Sequence, residues 1–397
     1  METLKFVMTS TFYPPYHIGG DAIHVYYLAN ELAKRDHEVH VIHLLDSYSF
    51  KRKNKPKNEY ENNDNIILHS IKSPFGILSL SNSYVFGKSM YINRRVKSML
   101  EEIKPSVLHH HNIAGFGPSI LNNTEYKTIY TAHDYWFQCP MANLMRKDGS
   151  LCSGNYSCCV CPLVYKRPPQ IWRYINDINK IFKRINIIIA PSNYMKTRIL
   201  EFGIKKNVEV IPNFILDTET VEEKSYDFPY FLFVGVIENH KGIVKLIKTF
   251  IRAKEQIDAK LLVVGTGSFY ENLKRIITQN NCSDKINLLG RVDDKELMIL
   301  YKNALAVVIP SIWPENNPYV ALEALMHGTP IIVSNMGGLP EIAEKGNMPI
   351  FNNHQELIPL LKMMEKNKIT YKNPREIYEK YYSPNSFITK YLHIIKN

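Results

Sequence analysis

The chain has 397 residues, 45% of them hydrophobic and 22% charged, a composition that suits two or three packed domains and excludes a disordered polymer. No apolar run reaches the roughly 18 residues of a spanning helix, and the opening Met1–Met8 is too short and mixed for a signal peptide, so a cytoplasmic location is expected. The net charge of +11 is uneven: residues 1–215 carry 27 Lys and Arg against 17 Asp and Glu, residues 216–397 carry 22 against 21.

Taken in chain order, Leu4–Met8 is predicted as a strand and Ala22–Lys34 as a helix. Strands Glu38–Leu44 and Ile66–Ile71 follow, then helix Lys88–Ile103, strands Val107–His110, Thr128–Ala132 and Ile187–Ala190, and helix Ser192–Phe202. The later strands are Tyr230–Val236, Lys260–Val264, Asn287–Leu289, Ala306–Ile309 and Pro330–Val333, with helices such as Ile243–Ala253, Ser268–Gln279 and Lys295–Lys302 between them. Continuous apolar strands separated by helices predict parallel sheets covered on both faces. The fold class is therefore α/β, with two doubly wound Rossmann-like domains. Domain 1–215 carries an insert at 136–162, and domain 216–382 follows a polar linker at Leu216–Asp227. A last helix near 383–397 is expected to pack back on the first domain.

Ligands of open parallel sheets bind beyond the carboxyl ends of the strands, and two such domains facing each other would form one cleft. The loops after strands carry the candidate chemistry. Gly19 and Gly20 open a helix, where bare backbone N–H groups can approach a phosphate; a tight turn without a ligand has the same sequence. The motif is not G-x-G-x-x-G, which disfavours a dinucleotide dehydrogenase. His133, in Tyr130-Thr131-Ala132-His133-Asp134, could hydrogen-bond a sugar hydroxyl or merely order its loop. In His109-His110-His111 alternate side chains point apart, so the three cannot share a metal; His110 and His111 are expected in a loop near the acceptor. Lys241, beside a helix start, is placed to neutralise a diphosphate leaving group.

The most informative segment is Pro310–Ala324, which carries Glu315, Asn316, Asn317 and Glu323. One carboxylate can hold sugar hydroxyls and the other a ribose diol. Glu323 lies among Tyr319, Val320, Leu322, Ala324 and Leu325, where an unpartnered carboxylate is costly. Gly337-Gly338-Leu339-Pro340-Glu341 adds another strand-to-loop glycine turn.

These motifs, together with Val210-Ile211-Pro212-Asn213, resemble the family 4 retaining glycosyltransferases (glycosyl transferases group 1) of the GT-B fold, over nearly the whole chain. The resemblance implies transfer of a sugar from a nucleotide-diphosphate sugar, UDP- or GDP-linked, to a glycan or lipid-linked acceptor in polysaccharide biosynthesis, with retention. By resemblance Gly20 would contact the donor phosphate, His133 would lie near the transferred sugar, Lys241 would bind the diphosphate, Glu315 would hold the sugar and Glu323 the ribose. One departure is Val236, where the family usually has Arg. No Asp-x-Asp motif is present, so the chemistry is expected to need no divalent cation. A non-catalytic sugar-nucleotide or glycan-binding protein of the same fold, and a GT-B sugar-nucleotide epimerase, are the alternatives.

Five of the six cysteines fall within the insert region, and in a cytosolic chain such clustering favours a metal over disulfides. Cys158 and Cys161 form a C-x-x-C knuckle that Cys139 and Cys152 could complete as a tetrahedral zinc set, with Cys159 spare. Buried thiols or a redox pair are the competing readings. The basic first half predicts an anionic partner, taken to be the inner face of a membrane bearing the acceptor. The patches expected to dock there are Lys51–Lys57 and the helix with Lys88, Arg94, Arg95 and Lys97 beside Met90, Tyr91, Ile92 and Val96, expected to lie partly in the interface; a solvated basic surface is the competing reading. No nucleic-acid motif accompanies them.

Overall fold

The computed structural model of the chain describes residues 3–52, 54, 56, 60–122, 125–152, 158, 160–175, 177–218 and 226–396. The chain forms two compact units, Met1–Ile211 with Ile388–Asn397, and Pro212–Phe387. The change of unit falls just before the predicted linker, part of which lies outside the described residues. Among the described residues no helix is long and apolar enough to cross a membrane.

The first unit is built on a parallel sheet of β1 (Lys5–Ser10), β2 (Glu38–Leu44), β3 (Ile66–Ile71), β4 (Val107–His110), β5 (Lys127–Thr131), β6 (Ile187–Ala190) and β7 (Asn207–Val210). Their order is β3-β2-β1-β4-β5-β6-β7. Val7, Ile42, Leu108 and Ile188 join one core, each fully buried aliphatic contributing roughly 1.5–3 kcal/mol. The final helix, Pro384–Lys396, ends in this unit: Tyr391 Oη lies 2.8 Å from His109 Nδ1.

Helix Met90–Ile103 turns Ile92, Val96, Leu100 and Ile103 into that core. These residues recur at helical spacing, so its apolar stripe is already used. Ile92 and Val96, expected to lie partly in a membrane interface, are therefore core residues, whereas Met90 of the same helix is exposed. Helix Ile77–Phe86, which the sequence reading does not contain, has the reverse polarity. It buries Ser79 and Ser83, and Ser73 Oγ lies 2.6 Å from Ser79 Oγ. Ile77, Leu78 and Phe86 are exposed. Of the predicted run Lys51–Lys57, residues Lys53, Lys55 and Lys57 lie outside the described residues.

The second unit repeats the scheme with β8 (Tyr230–Val234), β9 (Lys260–Val264), β10 (Ile286–Gly290), β11 (Ala306–Ile309), β12 (Ile331–Ser334) and β13 (Ile350–Phe351). Their order is β10-β9-β8-β11-β12-β13, again parallel. Helix Ile243–Ala253 packs Ile243, Leu246, Ile247 and Phe250 onto one core with Phe231, Leu261, Val263 and Val308. In both sheets the order reverses direction between the unit's first strand and its neighbour, at β1/β4 and at β8/β11. Such a reversal leaves a crevice at the carboxyl ends of the strands.

Candidate active site

In the second unit, the loops after β8 and β11 carry Lys241 and Glu315. Glu315 is buried, and its Oε1 accepts from three donors: Lys241 Nζ at 2.7 Å, Ser311 Oγ at 2.8 Å and Trp313 Nε1 at 2.8 Å. Lys241 Nζ also lies 5.1 Å from the centre of the Trp313 ring. A carboxylate removed from water needs such partners to offset its desolvation. Two glycines let the loops approach. Gly242 has φ 73, and a Cβ there would lie 1.7 Å from the Pro310 carbonyl oxygen. Gly337 has φ 65, and a Cβ there would lie 2.1 Å from the Glu315 carbonyl oxygen. Gly338 N–H donates to that same oxygen at 2.6 Å.

Glu323 sits in helix Tyr319–Met326 and accepts from Tyr301 Oη at 2.5 Å. Burial pushes its carboxyl up from the ordinary value, while the Tyr301 bond opposes that. Glu315 and Glu323 therefore have separate anchors. Between them, the half-buried Asn316 follows Glu315, and Asn317 is buried. The Asn317 carbonyl oxygen accepts from Asn213 Nδ2 at 2.9 Å. Its side-chain Oδ1 is buried without a hydrogen-bond partner among the described residues. An unmet buried acceptor costs about 1–3 kcal/mol, which a donor on a ligand would recover. Val236 is 51% exposed beside Gly235.

In the first unit, the residues after β1, β4 and β5 gather around histidines. Gly19 (φ 91) caps helix Gly20–Ala33, whose first turn carries Asp21. Asn112 Nδ2 donates to the Asp21 carboxylate at 2.5 Å. His133 Nε2 lies 3.0 Å from His111 Nδ1, the two rings stack, and the His24 ring stands edge-on to His133. Ring nitrogens of His24, His111 and His133 all lie within 4.8 Å of one another. Burial drives the His133 imidazole down to about 3, and His24, His109 and His111 well below the usual value. His133 is thus neutral at physiological pH, a hydrogen-bonding group rather than a standing cation. Asp134 beside it is pushed up to about 7, chiefly by burial.

His110 departs from expectation. It ends β4, fully buried, with Nδ1 2.7 Å from Thr9 Oγ1, and so is a core residue rather than a loop residue. Lys51 also departs. It lies near enough to Asp21 and Asp134 to favour their charged forms, and 5.2 Å from the Phe12 ring centre. Sequence reasoning did not single out Ser311, Trp313, Tyr301, Asp21 or His24. Ser311 and Trp313 were legible as polar neighbours of Glu315. Tyr301 stands 22 residues from its partner and left no local signal.

The cysteine insert follows β5. Cys139 is buried, Cys152, Cys158 and Cys161 are half-buried, none of the four is in a disulfide, and Cys159 lies outside the described residues. Burial, and then the thiols of Cys139, Cys158 and Cys152, push the Cys161 thiol up.

Comparison with known proteins gives the family. The Glycosyltransferase Family 4 model matches residues 18–219, and the Glycosyl transferases group 1 model matches residues 216–381. An uncharacterized glycosyltransferase of Methanocaldococcus jannaschii is 27% identical over 354 residues, covering 85% of this chain and 82% of its own. The O-antigen chain mannosyltransferase RfbU of Salmonella typhimurium is 30% identical over 166 residues, covering 41% of this chain and 46% of its own. Among solved structures, Anabaena HepE in complex with UDP and glucose matches with a TM-score of 0.65 at 16% identity, covering 99% of both chains. That likeness speaks to the fold, GT-B with two Rossmann-like domains.

Proposed function

The chain belongs to glycosyltransferase family 4, and on that premise we propose that it moves a hexosyl group from a UDP- or GDP-sugar to a glycan or lipid-linked acceptor with retention at the anomeric carbon. That it is a glycosyltransferase follows from the family. The observation that carries the finer reading is the convergence of Lys241, Ser311 and Trp313 on Glu315 at the strand-order reversal of the second unit.

In this reading the donor diphosphate arrives beside Lys241, which is already fixed by its pairing with Glu315. The ammonium then faces charge that grows as the bond from the anomeric carbon to the phosphate oxygen breaks. Fixed groups need no reorganisation at that moment, and with Val236 in place of the Arg of the resemblance, Lys241 and backbone dipoles carry the neutralisation. Glu315 accepts hydrogen bonds from sugar hydroxyls and Glu323 from the ribose. Asn316 and Asn317 line the same loop, and the Asn317 Oδ1 is poised for a donor on the ligand. Gly19 and Gly20 open the helix that would receive a donor phosphate. His133 offers a neutral imidazole to a sugar hydroxyl. The acceptor oxygen bonds to the anomeric carbon on the face the phosphate leaves, and its proton passes to the departing phosphate oxygen. No divalent cation enters this scheme.

The variants Lys241→Ala and Glu315→Gln test it through nucleotide release. Lys241→Ala is expected to lower kcat by about 100- to 1,000-fold, the scale for removing one fixed stabiliser of developing charge. Glu323→Gln is expected mainly to weaken nucleotide affinity, by about tenfold. Near-native turnover in both Lys241→Ala and Glu315→Gln removes the assignment.

We also propose an anionic membrane face as the place where the first unit meets a lipid-linked acceptor. Phe75 (60% exposed), Leu78 (64%) and Met90 (66%) support it, with the exposed Lys72, Lys88, Arg94 and Arg95 near them in sequence. Apolar side chains can enter the headgroup region while each cation contributes about 1 kcal/mol.

A further inference from the structure

Among its described residues the insert between β5 and helix Val160–Val164 adds no strand to the sheet, and its apolar side chains Tyr135, Trp136, Phe137 and Leu144 pack into the core of the first unit. It is held by short backbone contacts. Cys139 N–H donates to the Tyr135 carbonyl at 2.7 Å. Met145 and Leu151 pair across a tight hairpin, after which Cys152 N–H donates to the Leu144 carbonyl at 2.7 Å. Cys161 lies in the helix that follows, with Cys158 just before it. Four thiols from separate turns thus line one cavity of about 420 Å³, together with Leu144 and Val164. A single buried cysteine packs as a small hydrophobe, and it is the gathering of four thiols at one cavity that points to a metal set. None of the four is joined in a disulfide.

We propose that Cys139, Cys152, Cys158 and Cys161 form a closed structural zinc site that folds the insert. The reading is independent of the transferase chemistry. Four sulfurs with no position left for water are the donor set of a structural rather than a catalytic zinc. Each thiol gives up its proton as its sulfur bonds to the metal, so no oxidant or reductant is needed, and affinity falls as the pH is lowered. Among the described residues no three of these sulfurs lie within 4.8 Å of one another, whereas ring nitrogens of His24, His111 and His133 do. The metal therefore has to draw the thiols inward and tighten the cavity, which predicts protection of the insert from protease when zinc is bound. The His group competes as a location for any bound ion. Its 3.0 Å contact between His111 and His133 is accounted for by one neutral ring donating to the other.

The test uses the full chain purified without chelator. Elemental analysis is expected to find about one zinc per chain, and exchange for cobalt to give the intense near-ultraviolet bands of sulfur-to-cobalt charge transfer. The double variant C158S/C161S is expected to lose most of the zinc, while H24N retains it. Protein that holds no zinc after incubation with the ion, with the insert thiols all titratable, overturns the proposal. So does a cobalt spectrum without sulfur bands, or zinc lost in H24N and kept in C158S/C161S. The cobalt spectrum is read on the unaltered chain, so a variant that fails to fold does not blunt the result.

Discussion

Asp134 follows the histidine at the end of β5, and its carboxyl is pushed up to about 7, largely by burial, from an ordinary value of 3.8. The native state therefore prefers the neutral acid over a range where the unfolded chain prefers the carboxylate. Stability from this group is fully present below the unfolded value and is lost as pH rises through about 7. Asn keeps an oxygen for the Trp136 N–H, which donates to Asp134 Oδ1 at 2.9 Å, and carries no charge to bury. Asp134→Asn should then stabilise by an amount near zero around pH 4 that grows to roughly 1–3 kcal/mol above pH 7. Thermal melts of both proteins across that range check it, and a difference that shrinks with rising pH contradicts it. The neighbouring imidazoles act in the opposite sense. Burial depresses His24, His109, His111 and His133, so their contribution is present above the unfolded value near 6.5 and is lost as pH falls. At this scale Lys241 and Glu315 were legible, because a cation and a carboxylate in loops after apolar strands have few structural uses. Their mutual bond and the tie of Glu323 to Tyr301 were not, because both are set by tertiary packing.

The strands and the longer helices were legible as elements, since runs such as Ile187–Ala190 and Ala306–Ile309 are apolar without interruption. Short strands with polar ends were not; β7 reads Asn-Val-Glu-Val, and β13 has two residues. Helix Ile77–Phe86 escaped for a different reason. Ser and Asn weaken helix propensity, and the buried positions here are Ser79 and Ser83, so the apolar pattern marks its outer face. That inversion moves the apolar part of the membrane prediction from the buried stripe of helix Met90–Ile103 to Phe75 and Leu78, with Met90, Arg94 and Arg95 exposed on the neighbouring helix. Liposome co-sedimentation at low salt should retain the protein on anionic vesicles and release it at high salt, and the variant Phe75→Ser with Leu78→Ser should bind several-fold less. Equal failure to bind anionic and neutral vesicles removes the membrane claim and leaves the transferase reading in place.

At the scale of the whole molecule, the two units share one plan, with their second and first strands beside each other and the fourth on the far side of the first. The repeat was visible as two successive series of apolar strands and helices. Where the chain passes between units was less visible: the change at Ile211 precedes the polar stretch that composition marks as a linker, because Phe214 and Ile215 pack in the second unit. The shared plan sets out two crevices, and the proposed chemistry rests on what each unit places there: a fixed ammonium and carboxylates in one, neutral imidazoles in the other. The central claim, retention at the anomeric carbon by this constellation, is tested most directly by time-resolved proton NMR of the full chain with a panel of UDP- and GDP-hexoses. The account predicts that at least one donor is consumed in a Lys241-dependent manner and that the first sugar anomer or glycoside to appear has the donor's configuration. A first-formed product of inverted configuration would contradict it.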